Sequence, residues 1–293
     1  MTEVIVAEGL TKYYDGRVGI EDVSFSVRRG EAFAYLGPNG AGKTTTIRLL
    51  LGFMRPTRGR AIVMGVDTRE DRLMTKVKAE IGYLAEDFTL PRGLKGKEVL
   101  RHFAEIRGVR SRAEEIFSIL PLDLEKRVEE YSKGMRQILA IALALSHDPD
   151  LLILDEPTTG LDPLMRDRLL GFLREEVRRG KTVFFSSHVL GEVQKVADRV
   201  CLIKGGKVVS LEDLPSLLSK LGKIVRARLS KPLDLKKLEG LGRAELTEGG
   251  REVTIVAEGK YSEILTLLAE YGIEDIEVRN MTLEEAFLHI YRR

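Results

Sequence analysis

The chain has 293 residues, enough for two domains and a substantial core, and its 47 Lys plus Arg against 45 Asp plus Glu give no electrostatic reason to expect nucleic acid. Its one cysteine, Cys201, rules out a disulfide or cysteine metal cluster within the chain and reads, in the apolar run Val200 to Ile203, as a small buried hydrophobe. The longest apolar stretch, Ile138 to Leu145, is too short to span a bilayer, and Glu3 and Glu8 stand where a leader peptide needs a basic start, so a cytosolic chain is expected.

In chain order, the first strong element is the apolar run Ala32 to Leu36. It leads into Gly37-Pro38-Asn39-Gly40-Ala41-Gly42-Lys43-Thr44 and then a helical segment, Thr45 to Leu51. Strand, glycine-rich loop and helix in that order form a phosphate-binding loop, because backbone N–H groups freed of side chains can turn inward onto phosphate oxygens beside the positive end of a helix. Lys43 then neutralises the β and γ phosphates, and Thr44 offers a hydroxyl to magnesium.

Between this loop and the next apolar run, helical patterns cover Glu98 to Arg107, Arg112 to Leu120 and Gly134 to Leu145, punctuated by Pro91, Gly93, Gly108 and Pro121. They read as a helical insertion over about 87–147. Leu151-Leu152-Ile153-Leu154 is the continuous apolar type of a fully buried parallel strand, and Val183-Phe184-Phe185 is another. Asp155 follows the first of these runs, where a carboxylate at a strand tip can hold magnesium; Glu156, one residue on, is placed to polarise an attacking water.

After Ser210 the texture changes. Leu211 to Leu221 is amphipathic, Ile224 to Leu229 alternates as a strand, Ala244 to Ala257 reads as a hairpin around Gly249-Gly250, and helix, strand and helix follow. The basic side of Ile224 to Leu229 reads as a solvated face. The expected division is 1–212 and 213–293, the second unit a small α+β domain with no catalytic motif.

The run Asp155-Glu156-Pro157-Thr158-Thr159-Gly160-Leu161-Asp162, joined to the phosphate loop, resembles the nucleotide-binding subunit of ATP-binding cassette transporters over roughly residues 3–208. The resemblance implies a P-loop α/β core with a mostly parallel sheet, an N-terminal antiparallel β region and the helical insertion. It implies that Tyr14, with Val18 beside it, stacks on adenine, although Tyr13 offers a second ring. Thr45 joins the loop residues around the phosphates. Ser132 and Gly134, in Tyr131-Ser132-Lys133-Gly134-Met135, match the signature that presents a hydroxyl and N–H groups to a γ-phosphate. Asp162 matches the loop crossing the subunit boundary, and His188 the histidine that bonds the γ-phosphate. Where the family usually has glutamine, this chain has Glu86, which keeps oxygen ligation near magnesium but adds charge.

The resemblance further implies ATP with Mg2+, since the guanine-reading Asn-Lys-x-Asp pattern is absent. It implies a homodimer closing head to tail over two ATP molecules, integral membrane permease subunits as partners, export as the direction, and a position on the inner face of the cell membrane. Asp87 to Pro91, with Phe88 and Leu90, is the expected docking stretch for those subunits. The closing segment Asn280 to Phe287 is similar to extensions of exporter ATPases. The alternative is a soluble ATPase of the same superfamily acting on ribosomes or DNA.

Overall fold

The computed structural model describes residues 2–108, 112–257, 259–281 and 285; most of the closing segment Asn280 to Phe287 lies outside them. The chain divides into two compact units, Met1–Glu212 and Asp213–Arg293.

In the first unit, strands β1 (Glu3–Tyr14) and β2 (Arg17–Arg28) form a hairpin whose Asp15-Gly16 turn has both residues at positive φ, 46° and 80°, the Asp-Gly geometry that matches strand twist. Strand β3 (Ala32–Leu36) follows, then helix α1 (Lys43–Leu50) and strands β4 (Arg58–Val63) and β5 (Val66–Asp67). The antiparallel sheet has the order β2-β1-β4-β5. Helix α1 begins at Lys43, two residues before the expected start, because Gly42 caps it in a left-handed conformation.

Helix α2 (Asp71–Glu80) leads to β6 (Ile81–Leu84). Helices α3 (Gly96–Arg107), α4 (Ala113–Ile119) and α5 (Lys133–Leu145) come next and share a small core of Val99, Val128, Tyr131, Leu139 and Leu143. Strand β7 (Leu151–Leu154), helix α6 (Pro163–Arg178), β8 (Thr182–Ser187), α7 (Leu190–Val196), β9 (Arg199–Lys204) and β10 (Lys207–Asp213) complete the unit. The six-stranded sheet has the order β10-β9-β3-β8-β7-β6, and β9, β3, β8, β7 and β6 pair in parallel. All four β7 side chains are fully buried, each worth about 1.5–3 kcal/mol relative to exposure. Stacked rings bind the two sheets: Phe25 of β2 lies 5.4 Å from Phe33 of β3, which lies 5.7 Å from Phe184 of β8. Cys201 is buried in the same core.

The second unit holds α8 (Leu214–Leu221), β11 (Lys223–Leu229), β12 (Arg243–Leu246), β13 (Glu252–Ala257), α9 (Tyr261–Glu270) and β14 (Ile273–Asn280). Leu211 to Asp213 end strand β10 rather than open the helix, since Pro215 sets the first turn of α8. The antiparallel sheet β12-β13-β11-β14 buries Val225, Ala227 and Leu229 with Ile264 and Leu268 of α9. Arg226 and Arg228 point to the other, solvated face, where Arg228 pairs with Glu252 at 3.1 Å.

Candidate functional site

Parallel register decides which residues meet. Leu36 lies level with Ser187, Leu154 with Phe185, and Leu84 with Leu154. The phosphate loop, His188, Asp155-Glu156 and Glu86 therefore leave adjacent strands at the carboxyl edge of one sheet, where strands stand about 4.8 Å apart.

The loop after β3 is tightly folded. A Cβ on Gly42, at φ 106°, would fall 2.8 Å from the Gly19 carbonyl oxygen and 2.5 Å from Ile20 Cγ2, so only glycine fits. Lys43 Nζ donates to the carbonyls of Gly37 and Pro38 at 2.7 and 3.1 Å and lies 3.1 Å from Glu156 Oε1. An open cleft of about 270 Å³ is lined by Val18, Gly19, Asn39, Gly40, Gly42, Lys43, Thr44, Thr45, Glu86 and Glu156. Ala41 is buried in the core, and the Gly37 N–H is spent on the Ser187 carbonyl, so neither lines this cleft.

Tyr14 is 38% exposed, its ring lies over Gly19, and its hydroxyl is 3.3 Å from Thr45 Oγ1. Tyr13 instead donates its hydroxyl to Glu21 at 2.7 Å, and that bond pushes the phenol upward. Of the two rings, Tyr14 is the one beside the loop.

Asp155 is fully buried. Its Oδ1 accepts from Ser186 Oγ at 2.5 Å and its Oδ2 has no hydrogen-bond partner; burial raises its carboxyl above the usual range, against the Ser186 bond. The Glu156 N–H also donates to Ser186 Oγ, at 2.9 Å. Glu156 takes a positive φ of 48°, a strained backbone for a non-glycine residue at a site that over-determines it, and His188 Nδ1 lies 2.9 Å from its Oε2. Thr44 Oγ1 donates to Glu86 Oε2 at 3.4 Å. Burial, then the Asp155 and Glu156 charges, raise the Glu86 carboxyl. Thr44, Glu86 and Asp155 are hard-oxygen donors, one of them orphaned, and they fit a magnesium ion that shares its shell with phosphate.

Ser132, Gly134 and Asp162 form a second cluster that does not line this cleft. Ser132 caps α5 by accepting the Met135 N–H at 3.2 Å, and Asp162 caps α6 by accepting the Met165 N–H at 3.0 Å. The two caps belong together: a Cβ on Gly134 would meet the Gly160 carbonyl oxygen at 2.8 Å. Gln137 of α5 is buried and donates to the Pro157 carbonyl at 2.9 Å, linking this cluster to the segment after Glu156. Ser186, Gln137 and Glu192 escaped the sequence reading. The one available hint was polar residues interrupting apolar runs.

Leu90 of the expected docking stretch packs against the α3–α5 core, and Phe88 is half-buried. Large apolar side chains left exposed nearby include Phe53, 52% exposed, its ring 5.6 Å from that of Tyr83 and tilted 57° to it, and Phe103 and Ile106 of α3, whose Arg107 reaches back to the Ala79 carbonyl at 2.6 Å. Among the described residues, no helix is long and apolar enough to cross a membrane.

The family model described as ABC transporter matches residues 20–159. The chain is 33% identical to the uncharacterized ABC transporter ATP-binding protein YhcH of Bacillus subtilis (strain 168), across 99% of this chain and 96% of that one. It is 36% identical to the Nod factor export ATP-binding protein I of Rhizobium johnstonii, across 69% of this chain and 67% of that one. Its fold superposes on the dimeric post-hydrolysis structure of the ATP-binding cassette MJ0796 bound to ADP and Pi with a TM-score of 0.65, at 24% identity, covering 72% of this chain and 98% of that one.

Proposed function

We propose, from the premise that this chain belongs to the ABC transporter family as an ATP-binding subunit and ATPase, that it powers export through separate membrane subunits. Residues 1–212 form the ATPase and 213–293 an accessory domain. ATP lies in the cleft of the phosphate loop, its adenine on Tyr14 beside Val18, its phosphates on the backbone of Asn39, Gly40 and Gly42 to Thr45 and on the Lys43 ammonium. Lys43 exchanges its Glu156 contact for phosphate oxygens as nucleotide enters.

Glu156 accepts the proton of the attacking water, and His188 orients that carboxylate and reaches toward the γ-phosphate. Thr44, Asp155 and Glu86 hold magnesium, which when bound neutralises phosphate charge. Ser132, Gly134 and Asp162 act on the nucleotide of a second copy. They share one edge, fixed together at Gly134 and Gly160, and stand outside the cleft of their own chain. Each ATP thus sits between the loop of one protomer and the signature of its partner. Closure on ATP and opening after hydrolysis drive the permease.

The single observation that carries this reading is the convergence of Lys43, Glu156 and His188 at one sheet edge. Exposed Phe53, Phe103 and Ile106 support a permease surface, and the relative named for Nod factor export supports the direction. The test is purification from detergent-solubilised membranes. A multi-span partner is expected to come with the chain; ribosomes or DNA in its place would overturn the transport reading.

A further inference from the structure

Beside Asp155 and Glu156 the same sheet edge holds a further buried carboxylate that has been given no role. Glu192 of α7 is 4% exposed. Its Oε1 accepts from Thr158 Oγ1 and its Oε2 from Ser187 Oγ, both at 2.8 Å. Arg166 Nε stands 3.6 Å from Oε1, and that nitrogen has no hydrogen-bond partner.

The three partners come from three separate segments of the chain. Thr158 lies two residues after Glu156, and Ser187 immediately precedes His188. Arg166 sits in the first turn of α6, its N–H bonded to the Asp162 carbonyl at 2.9 Å. Ser187 is itself committed on both sides: its hydroxyl accepts the Val189 N–H at 3.0 Å, and its carbonyl takes the Gly37 N–H at 3.1 Å. A carboxylate is expensive to bury, and mere filling of the space would be met by an apolar side chain. What the charge adds is two directed acceptors and an ion pair, so a shift of any one segment strains the other two.

We propose that Glu192 is a positioning residue for hydrolysis: resting on the roles given above to Glu156 and His188, it holds these two in register with the Asp162 segment that faces the partner protomer. A displacement of about 1 Å at a reacting group can cost a hundredfold in rate, which gives such a clamp its leverage.

The experiment is a double-mutant cycle in the full chain, with His188→Ala, Glu192→Ala and the double variant. Turnover is expressed per ATP-binding chain, and thermal melting verifies folding. Glu192→Ala is expected to lower kcat about tenfold or more while KM for ATP stays within about twofold. In its background His188→Ala is expected to cost no more than about twofold, because the histidine is already misplaced. A folded Glu192→Ala with wild-type kcat, or losses that simply multiply, overturns the proposal while leaving the site reading intact. Unchanged turnover in His188→Ala alone overturns the site reading and this proposal with it. Should Glu192→Ala fail to fold, Glu192→Gln keeps the volume and one acceptor, and the same non-additivity with His188→Ala decides.

Discussion

Lys43 Nζ stands 3.1 Å from Glu156 Oε1, with the two side chains only 6% and 4% exposed. The cation proposed to neutralise phosphate and the carboxylate proposed to accept the proton are thus each other's partner. On the proposed reading, ATP competes with Glu156 for the Lys43 ammonium and so opens this buried ion pair. The pair also ties the phosphate loop after β3 to the segment after β7, across the intervening strand β8.

Glu156→Gln removes the proton acceptor and the anion that competes for Lys43. Turnover should fall by about a hundredfold or more, in the range expected for a lost general base. ATP binding should be retained or tightened. Phosphate release and nucleotide fluorescence titration check the two halves; brisk hydrolysis by this variant removes Glu156 from the role.

Glu86 brings a charge to a cleft that receives a polyanion, and its carboxyl is already raised by burial and by Asp155 and Glu156. Deprotonation as pH rises therefore opposes ATP. Glu86→Gln, neutral at every pH, should bind magnesium-free ATP more tightly than wild type at alkaline pH and converge with it under acid conditions. Titrations at several pH values check this; parallel curves for the two proteins would contradict it.

His147 is pushed down to about 4 from 6.5, first by burial and then by the Arg107 charge. The folded chain therefore resists protonation that the unfolded chain accepts. The resulting stability is present above pH 6.5 and lost as pH falls toward 4. Urea midpoints measured across this window should fall less steeply for His147→Leu than for wild type.

The sequence disclosed the site wherever chemistry dictates residue type at fixed spacing. Gly37 to Thr44 must be glycine-rich for backbone to reach phosphate, and Leu151 to Leu154 must be apolar on both faces to lie in mid-sheet. What it concealed depends on which chain segments meet. Ser186 matters because β8 lies beside β7, Gln137 because α5 passes under Pro157, and Glu192 because α7 returns to the sheet edge. Leu90 read as a docking contact, and it is half-buried against the α3–α5 core, a packing the sequence did not disclose because an apolar residue after a turn gives no sign of which side it will face.

The central claim is that each hydrolytic site is shared between two copies. Lys43→Ala disables the phosphate loop, and Ser132→Arg disables the signature while sparing ATP binding. Each purified alone should be inactive. Mixed in equal amounts, half the dimers would pair one chain of each kind and hold one intact site of two, so the mixture should recover about a quarter of wild-type turnover. A mixture as inactive as its parents, or full turnover by Ser132→Arg alone, would contradict the account.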